Sequence, residues 1–215
     1  MARSLDSARV RSEGRVQRFL DAGFELLASA ESGKDFTVQE VVDRSGQSLR
    51  GFYQYFAGKH ELLLALFDEA IRSTADRLEE LIAKEDRALD RLHRFVVEYF
   101  RMCLPMPKGR ASKNHPSPVL AEFSHELMTA HQDEATRAFV PLVSLLGKVL
   151  ADAVAAGVVR RELDHTEAAG AVLATIMFNA AYAPTISGVK RTNATRAADQ
   201  IWTLVSAGIL ADRSV

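Results

Sequence analysis

The sequence contains a single cysteine, Cys103, so no internal disulfide can staple the chain, and a disulfide-bonded extracellular scaffold is excluded. Charge of one sign is missing too: 27 Lys and Arg oppose 28 Asp and Glu, for a formal charge of −1. Any affinity for nucleic acid must therefore come from a local patch. No uninterrupted apolar segment of the secretory type opens the chain, and apolar runs such as Ala171 to Phe178 stop short of the ~20 residues that cross a bilayer. The expected compartment is the cytoplasm, with no membrane partner. No stretch alternates apolar and polar residues for long, so strands are not expected. Hydrophobic residues make up 47% of the 215, enough for a sizeable core.

What is present is helical spacing in segment after segment, beginning with Val16, Phe19, Leu20, Phe24 and Leu27. The expected fold is all-α. Residues 1–14 carry Arg3, Arg9 and Arg11 with little apolar content and read as a mobile basic arm. A second periodic segment runs from Gly58 to about Lys84, and a third from Leu89 to Cys103. Leu104 to Pro118 then holds four prolines and a glycine, the composition of a long loop. Helices follow over Val119 to Thr129 and about Glu134 to Ala156, where Pro141 marks a kink or a first turn and Gly157 suits a left-handed end. Asp164 caps an Ala-rich helix expected to end near Pro184, and a last helix covers roughly Ala194 to Leu210.

The densest constellation is Phe36 to Leu62. Thr37 with Glu40 has the spacing of a capping box, opening a short helix that turns Val38, Val41 and Val42 inward. Gly46 permits a sharp turn, and Ser48 stands where a second short helix, Leu49 to about Phe56, needs a cap. Two short helices across a glycine turn make a helix-turn-helix.

Here the sequence resembles the tetracycline-repressor (TetR) family: Tyr53, Phe56 and Lys59 match its aromatic pair and helix-opening lysine, with Leu62 and Leu63 in register. Gln47 and Gly51 depart from the residues usual there, and the later chain resembles the family in helical layout and in the GVVRRELD turn before Thr166. The resemblance implies an N-terminal three-helix DNA-binding domain, residues 15–60, and a helical ligand-binding and dimerisation domain, 61–215. It also implies a homodimer on a near-palindromic DNA operator, with the last two helices forming a four-helix bundle across the two-fold axis. A seam is expected among Ala168, Ala171, Val172, Thr175 and Asn179 with Ala197, Ile201, Leu204, Val205 and Gly208.

DNA chemistry assigns roles within the motif. Gln47, Leu49 and Arg50 open the recognition helix and face base edges, Arg50 with the geometry for a bidentate guanine contact. Ser48 caps that helix, and Tyr53 and Tyr55 offer hydroxyls to phosphates. Thr37 and Lys59 stand at helix starts, where backbone N–H groups favour anions. For a small-molecule effector the bulky side chains are Phe95, Tyr99, Met102, Phe123, Met128, Phe139, Met177 and Phe178, a set suited to an apolar or amphipathic ligand. Glu122 with His125 and Asp90 with His93 have an i,i+3 spacing that metals use, yet nothing supplies the further ligands, so neither metal nor other cofactor is expected. No glycine-flanked serine elbow occurs. The expectation is a regulator and not an enzyme, a repressor released by its effector. A DNA-binding protein without a ligand, or a helical bundle enzyme or carrier, are the alternatives.

Overall fold

The computed structural model describes residues 2–29, 36–104, 117–188 and 193–211, with side chains from residue 12 onward. Among these the helices are α1 (Ala2–Ser29), α2 (Val38–Ser45), α3 (Leu49–Phe52), α4 (Lys59–Ile82), α5 (Ala88–Cys103), α6 (Pro118–Ala130), α7 (Gln132–Ala155), α8 (His165–Ser187) and α9 (Ala194–Ile209). The chain is all-α, with one isolated bridge between Val159 and Leu210 among the described residues.

Helix ends follow the local chemistry. Ser117 caps α6 by accepting from Leu120 N at 3.2 Å, with Pro118 in the first turn, where a missing N–H costs nothing. The Asp164 carboxylate accepts from Thr166 N and Glu167 N at 2.9 and 2.8 Å and so opens α8. Gly157 has a φ of 70°, the left-handed conformation that stops α7.

Two expectations need correction. The segment 1–14, read as an unstructured arm, is helical from Ala2, because no proline or glycine interrupts residues 2–13 and the pattern of α1 can extend backward. Pro141 and Pro184 both lie inside their helices, so Pro184 does not end α8, which runs on to Ser187. Helices α7 and α8 are long and apolar enough, by length and composition, to cross a membrane. Yet Leu142, Leu146 and Leu150 of α7 and Leu173 and Ile176 of α8 are buried within the protein itself. The loop expected over Leu104 to Pro118 lies mostly outside the described residues.

The described residues group into two compact units. The first holds α1, α2, α3, α4 as far as Ala70, α6 and the start of α7 to Ala135; the second holds the rest of α4 and α7 with α5, α8 and α9. Within the first unit Phe123 of α6 lies edge-on to Phe67 of α4, 6.4 Å between centroids. In the first unit α1 crosses α4 closely: a Cβ on Gly23 would stand 2.8 Å from Leu66 Cδ1. In the second, α5 packs on both α8 and α9, with His93 edge-on to Trp202 at 4.9 Å.

Candidate nucleic-acid interface

The anchor of the N-terminal surface is aromatic. Phe19 of α1 meets Phe52 and Phe56 edge-on, at 5.5 and 6.1 Å, and Phe52 and Phe56 lie 5.3 Å apart. Phe19 and Phe52 are fully buried, so the segment bearing them cannot rotate without breaking the cluster. The aromatics assigned to the family signature therefore divide: Phe56 belongs to the core, while Tyr53 is 57% exposed with its ring edge-on to Phe52.

Helix α2 begins with the full reciprocal capping box. Glu40 N donates to Thr37 Oγ1 at 3.2 Å, and Thr37 N donates to the Glu40 carboxylate at 2.7 Å. The Thr37 hydroxyl also donates to that carboxylate at 2.9 Å, so this side chain is committed to the cap. Gly46, at φ 64°, closes α2 in the left-handed conformation. Ser48 then caps α3, accepting from Gly51 N at 3.0 Å. Helix α3 is shorter than its expected extent to Phe56: the Phe52 carbonyl accepts from both Tyr55 N and Phe56 N, and residues 53–55 form turns. Burial of Phe52 and Phe56 against Phe19 draws the chain inward there.

This frame leaves Thr37, Ser48, Leu49, Arg50 and Tyr53 exposed and Gln47, Tyr55 and Lys59 half-buried. Tyr55 is tied to α1, its hydroxyl oxygen accepting from Ser12 Oγ at 3.3 Å. Lys59 opens α4 with its ammonium 5.0 Å from the centre of the Phe36 ring. The start of α4 is fixed by Glu61, whose carboxylate accepts from Ala57 N at 2.6 Å. The arrangement presents a short polar edge on a rigid hydrophobic base, with a helix start at either side.

The residues expected to line an effector site fall in both units. Phe123 and Met128 belong to the first; Phe95, Tyr99, Met102, Phe139, Met177 and Phe178 belong to the second. Phe95, Tyr99 and Phe123 are buried, Met102, Phe139 and Met177 are half-buried, and Met128 and Phe178 are exposed, Phe178 by 58%. Phe95 and Tyr99 lie side by side at 6.0 Å. Burial pushes the Cys103 thiol up to about 12, so it stays protonated and is a poor nucleophile at neutral pH. A crevice of about 180 Å³ in the second unit is lined by Glu85, Asp90, His93, Arg94 and Val97. There Arg94 clamps Glu85 through two nitrogens, at 3.0 and 2.8 Å.

Two features escaped the sequence reading. One is the exposure of Phe178, Tyr182 and Ile186 along α8, in addition to Leu204 of the expected seam on α9. The seam residues expected there divide: Val172, Ile201 and Val205 are buried within the chain, while Ala171, Thr175, Leu204 and Gly208 face outward. The other is a cluster in the first unit that brings His60 together with Glu126 and His131. Only the fold makes it visible, since His60 lies far in sequence from Glu126 and His131.

Residues 19–66, which contain the capped helices α2 and α3, match the profile of a family described as bacterial regulatory proteins, tetR family. No curated protein sequence matches the chain significantly. Among solved structures it is similar to a TetR-family transcriptional regulator from Pectobacterium atrosepticum, with 15% identity, coverage of 95% of this chain and 98% of that one, and a TM-score of 0.71. The regulator FadR from Bacillus subtilis, solved in complex with stearoyl-CoA, shares 18% identity over 90% of this chain and 98% of that one, with a TM-score of 0.65. The ketosteroid regulator KstR2 of Mycobacterium tuberculosis shares 19% identity over 92% and 96%, with a TM-score of 0.54. The capped helix-turn-helix thus lies inside a segment that matches the tetR family of bacterial regulatory proteins, and the fold of the solved regulators is shared over nearly the whole chain.

Proposed function

We propose that the protein is a cytoplasmic homodimeric repressor that binds a near-palindromic operator and is released from it by an apolar or amphipathic small molecule. The observation that carries the DNA-binding half is the exposed edge of α3. Ser48 caps it, Phe52 locks it to the core, and Leu49 and Arg50 are left pointing outward at the helix start, where base edges are read. Arg50 reads sequence, while Lys59 and Tyr53 hold phosphate. Thr37, its hydroxyl occupied by the cap, acts through the backbone N–H groups of the turn that it opens.

The dimer reading rests on the outward residues of α8 and α9, among which Phe178 lies against Tyr182, 4.8 Å between centroids at a 41° tilt, with both rings exposed. The same residues of a second copy cover them in an isologous four-helix contact. Phe178 thereby serves the partner face, and the effector site narrows to Phe95, Tyr99, Met102, Phe139 and Met177 of the second unit. Phe95 and Tyr99 are buried, so entry of a ligand has to turn them aside. FadR, with its stearoyl-CoA, is an instance of the ligand class. Helix α4, shared by both units, carries the displacement to Lys59.

The test is footprinting on the DNA flanking the protein's own gene, followed by titration of two variants. Arg50→Ala should weaken the cognate site by ~1–3 kcal/mol and relax specificity, whereas Lys59→Ala should weaken all sequences and reduce the salt slope by ~1. Equal losses on cognate and random DNA for Arg50→Ala would remove the base-reading role. For sensing, an acyl-CoA series is titrated with and without operator, and the two affinities must change by the same factor.

A further inference from the structure

We propose that the first unit contains a binding site for a divalent transition-metal ion of the zinc, cobalt or nickel class, held by His60, His131 and Glu126. The geometry is local to that unit. A ring nitrogen of each histidine and a carboxylate oxygen of Glu126 all lie within 4.8 Å of one another. The two imidazole rings stand 4.7 Å apart at a 47° tilt. A second carboxylate, Glu134, faces both rings, its Oε2 2.8 Å from His60 Nε2 and 4.0 Å from His131 Nδ1. Two imidazoles and two carboxylates converge on one small volume, which with neutral histidines carries two negative charges.

The donor set selects the ion. Imidazole with carboxylate suits zinc, cobalt and nickel, while an all-oxygen set would suit magnesium or calcium. A tetrahedral ion with bonds of ~2.0–2.1 Å holds its ligands ~3.3 Å apart, so the site closes by rotamer adjustment of long side chains, Glu126 being exposed and free to swing. Glu134 takes the fourth position or orients His60 from behind it, as carboxylates do for metal-bound histidines.

The ligands sit at a mechanical junction. His131 caps α6, its N–H donating to the Leu127 carbonyl at 3.0 Å, and its own carbonyl accepts from Glu134 N and Ala135 N in the first turn of α7. His60 is the second residue of α4, directly after Lys59. A bound ion would therefore pin the α6–α7 elbow to the helix start that carries the phosphate-binding lysine. Phe123 closes the site on the core side, its ring 5.3 Å from that of His60.

The test uses the untagged full-length chain, stripped with chelator and titrated with Co²⁺ and with Zn²⁺ against a chromophoric chelator. One equivalent of metal per chain should bind, and Co²⁺ should develop the visible bands of a four- or five-coordinate nitrogen and oxygen site. His60→Ala and His131→Ala should each weaken Zn²⁺ binding by at least ~10-fold and erase the bands, with Glu126→Gln close behind. His125→Ala, on the exposed face of α6, should change nothing. Zn²⁺ should also raise the Tm of the unmodified chain and not that of His131→Ala. Substoichiometric binding, or equal Zn²⁺ affinity in the unmodified chain and in His60→Ala and His131→Ala, would overturn the assignment. If either histidine variant fails to fold, the Co²⁺ spectrum of the unmodified chain and the Glu126→Gln titration decide. None of these readouts involves DNA or effector, so the outcome is independent of the repressor reading.

Discussion

In the first unit the DNA-facing side chains stand on two short helices whose ends are fixed by particular hydrogen bonds, from the Thr37–Glu40 box to the Ser48 cap. In the second unit the outward residues Phe178, Tyr182, Ile186 and Leu204 lie turns away from the N-caps at Asp164 and Asn193, and their aim follows from the packing of the opposite helix faces together with the hydrogen bonds at the end of α9. Capping specifies a helix residue by residue, whereas apolar periodicity specifies that a helix is buried without saying how much of its circumference is. A surface built the first way tolerates loss of core only locally. One built the second way depends on every buried neighbour.

That contrast is sharpest at two adjacent residues. Val205 is 6% exposed and Leu204 61%, so Val205→Asp puts a charge inside the second unit, at a cost of about 4 kcal/mol or more, and should abolish the helical circular-dichroism signal near ambient temperature. Leu204→Asp should keep that signal and yield monomers in light scattering. The reverse ranking would put Val205 on the partner face. In the first unit Phe52→Ala should cost about 3–5 kcal/mol, read from denaturant melts, because it empties the centre of the Phe19–Phe52–Phe56 cluster. Gly23→Ala is expected to cost no more than about 1 kcal/mol by the same measurement, since its new methyl meets the end of the Leu66 side chain at 2.8 Å while alanine favours the helix. Thr37→Ala should cost only about 1 kcal/mol, since it removes one cap and no core; hydrogen exchange should locate the loss in the first turn of α2. A loss spread over the whole unit would mean that the box does more than end a helix.

The capped elements were legible because their signals are short-range. Thr37 with Glu40, Gly46, Ser48 and Asp164 each act on residues within four positions, and each does in the fold what its spacing suggested. The C-terminal end of α3 was not legible, because it is set by Phe19, which no local pattern connects to Phe52. Nor was the outward turn of Phe178, since α8 is apolar around most of its circumference and its composition does not mark one face as inner. The His60–Glu134 contact joins residues 74 apart, one on α4 and the other in the first turn of α7. Sequence spacing could suggest only pairs on a single helix, such as Glu122 with His125. The helical start at Ala2 is hidden for a different reason: arginines and few apolar residues mark a solvated segment, and a solvated segment can still be helical.

The Val159–Leu210 bridge has a consequence for the rotational phase of α9. Arg160 N donates to the Ile209 carbonyl at 3.1 Å and Ala211 N to the Val158 carbonyl at 2.9 Å, while Arg160 Nε reaches the Leu210 carbonyl at 3.0 Å. These bonds clip the end of α9 to the turn that follows α7. Because a helix turns about 100° per residue, a slip of one residue along its axis would swing Leu204 away from the face that it shares with Gly208 and bring a buried neighbour out in its place. The clip acts as an angular stop that keeps one side of α9 outermost, with the arginine at 160 gripping the last turn of that helix through the Ala207 and Leu210 carbonyls.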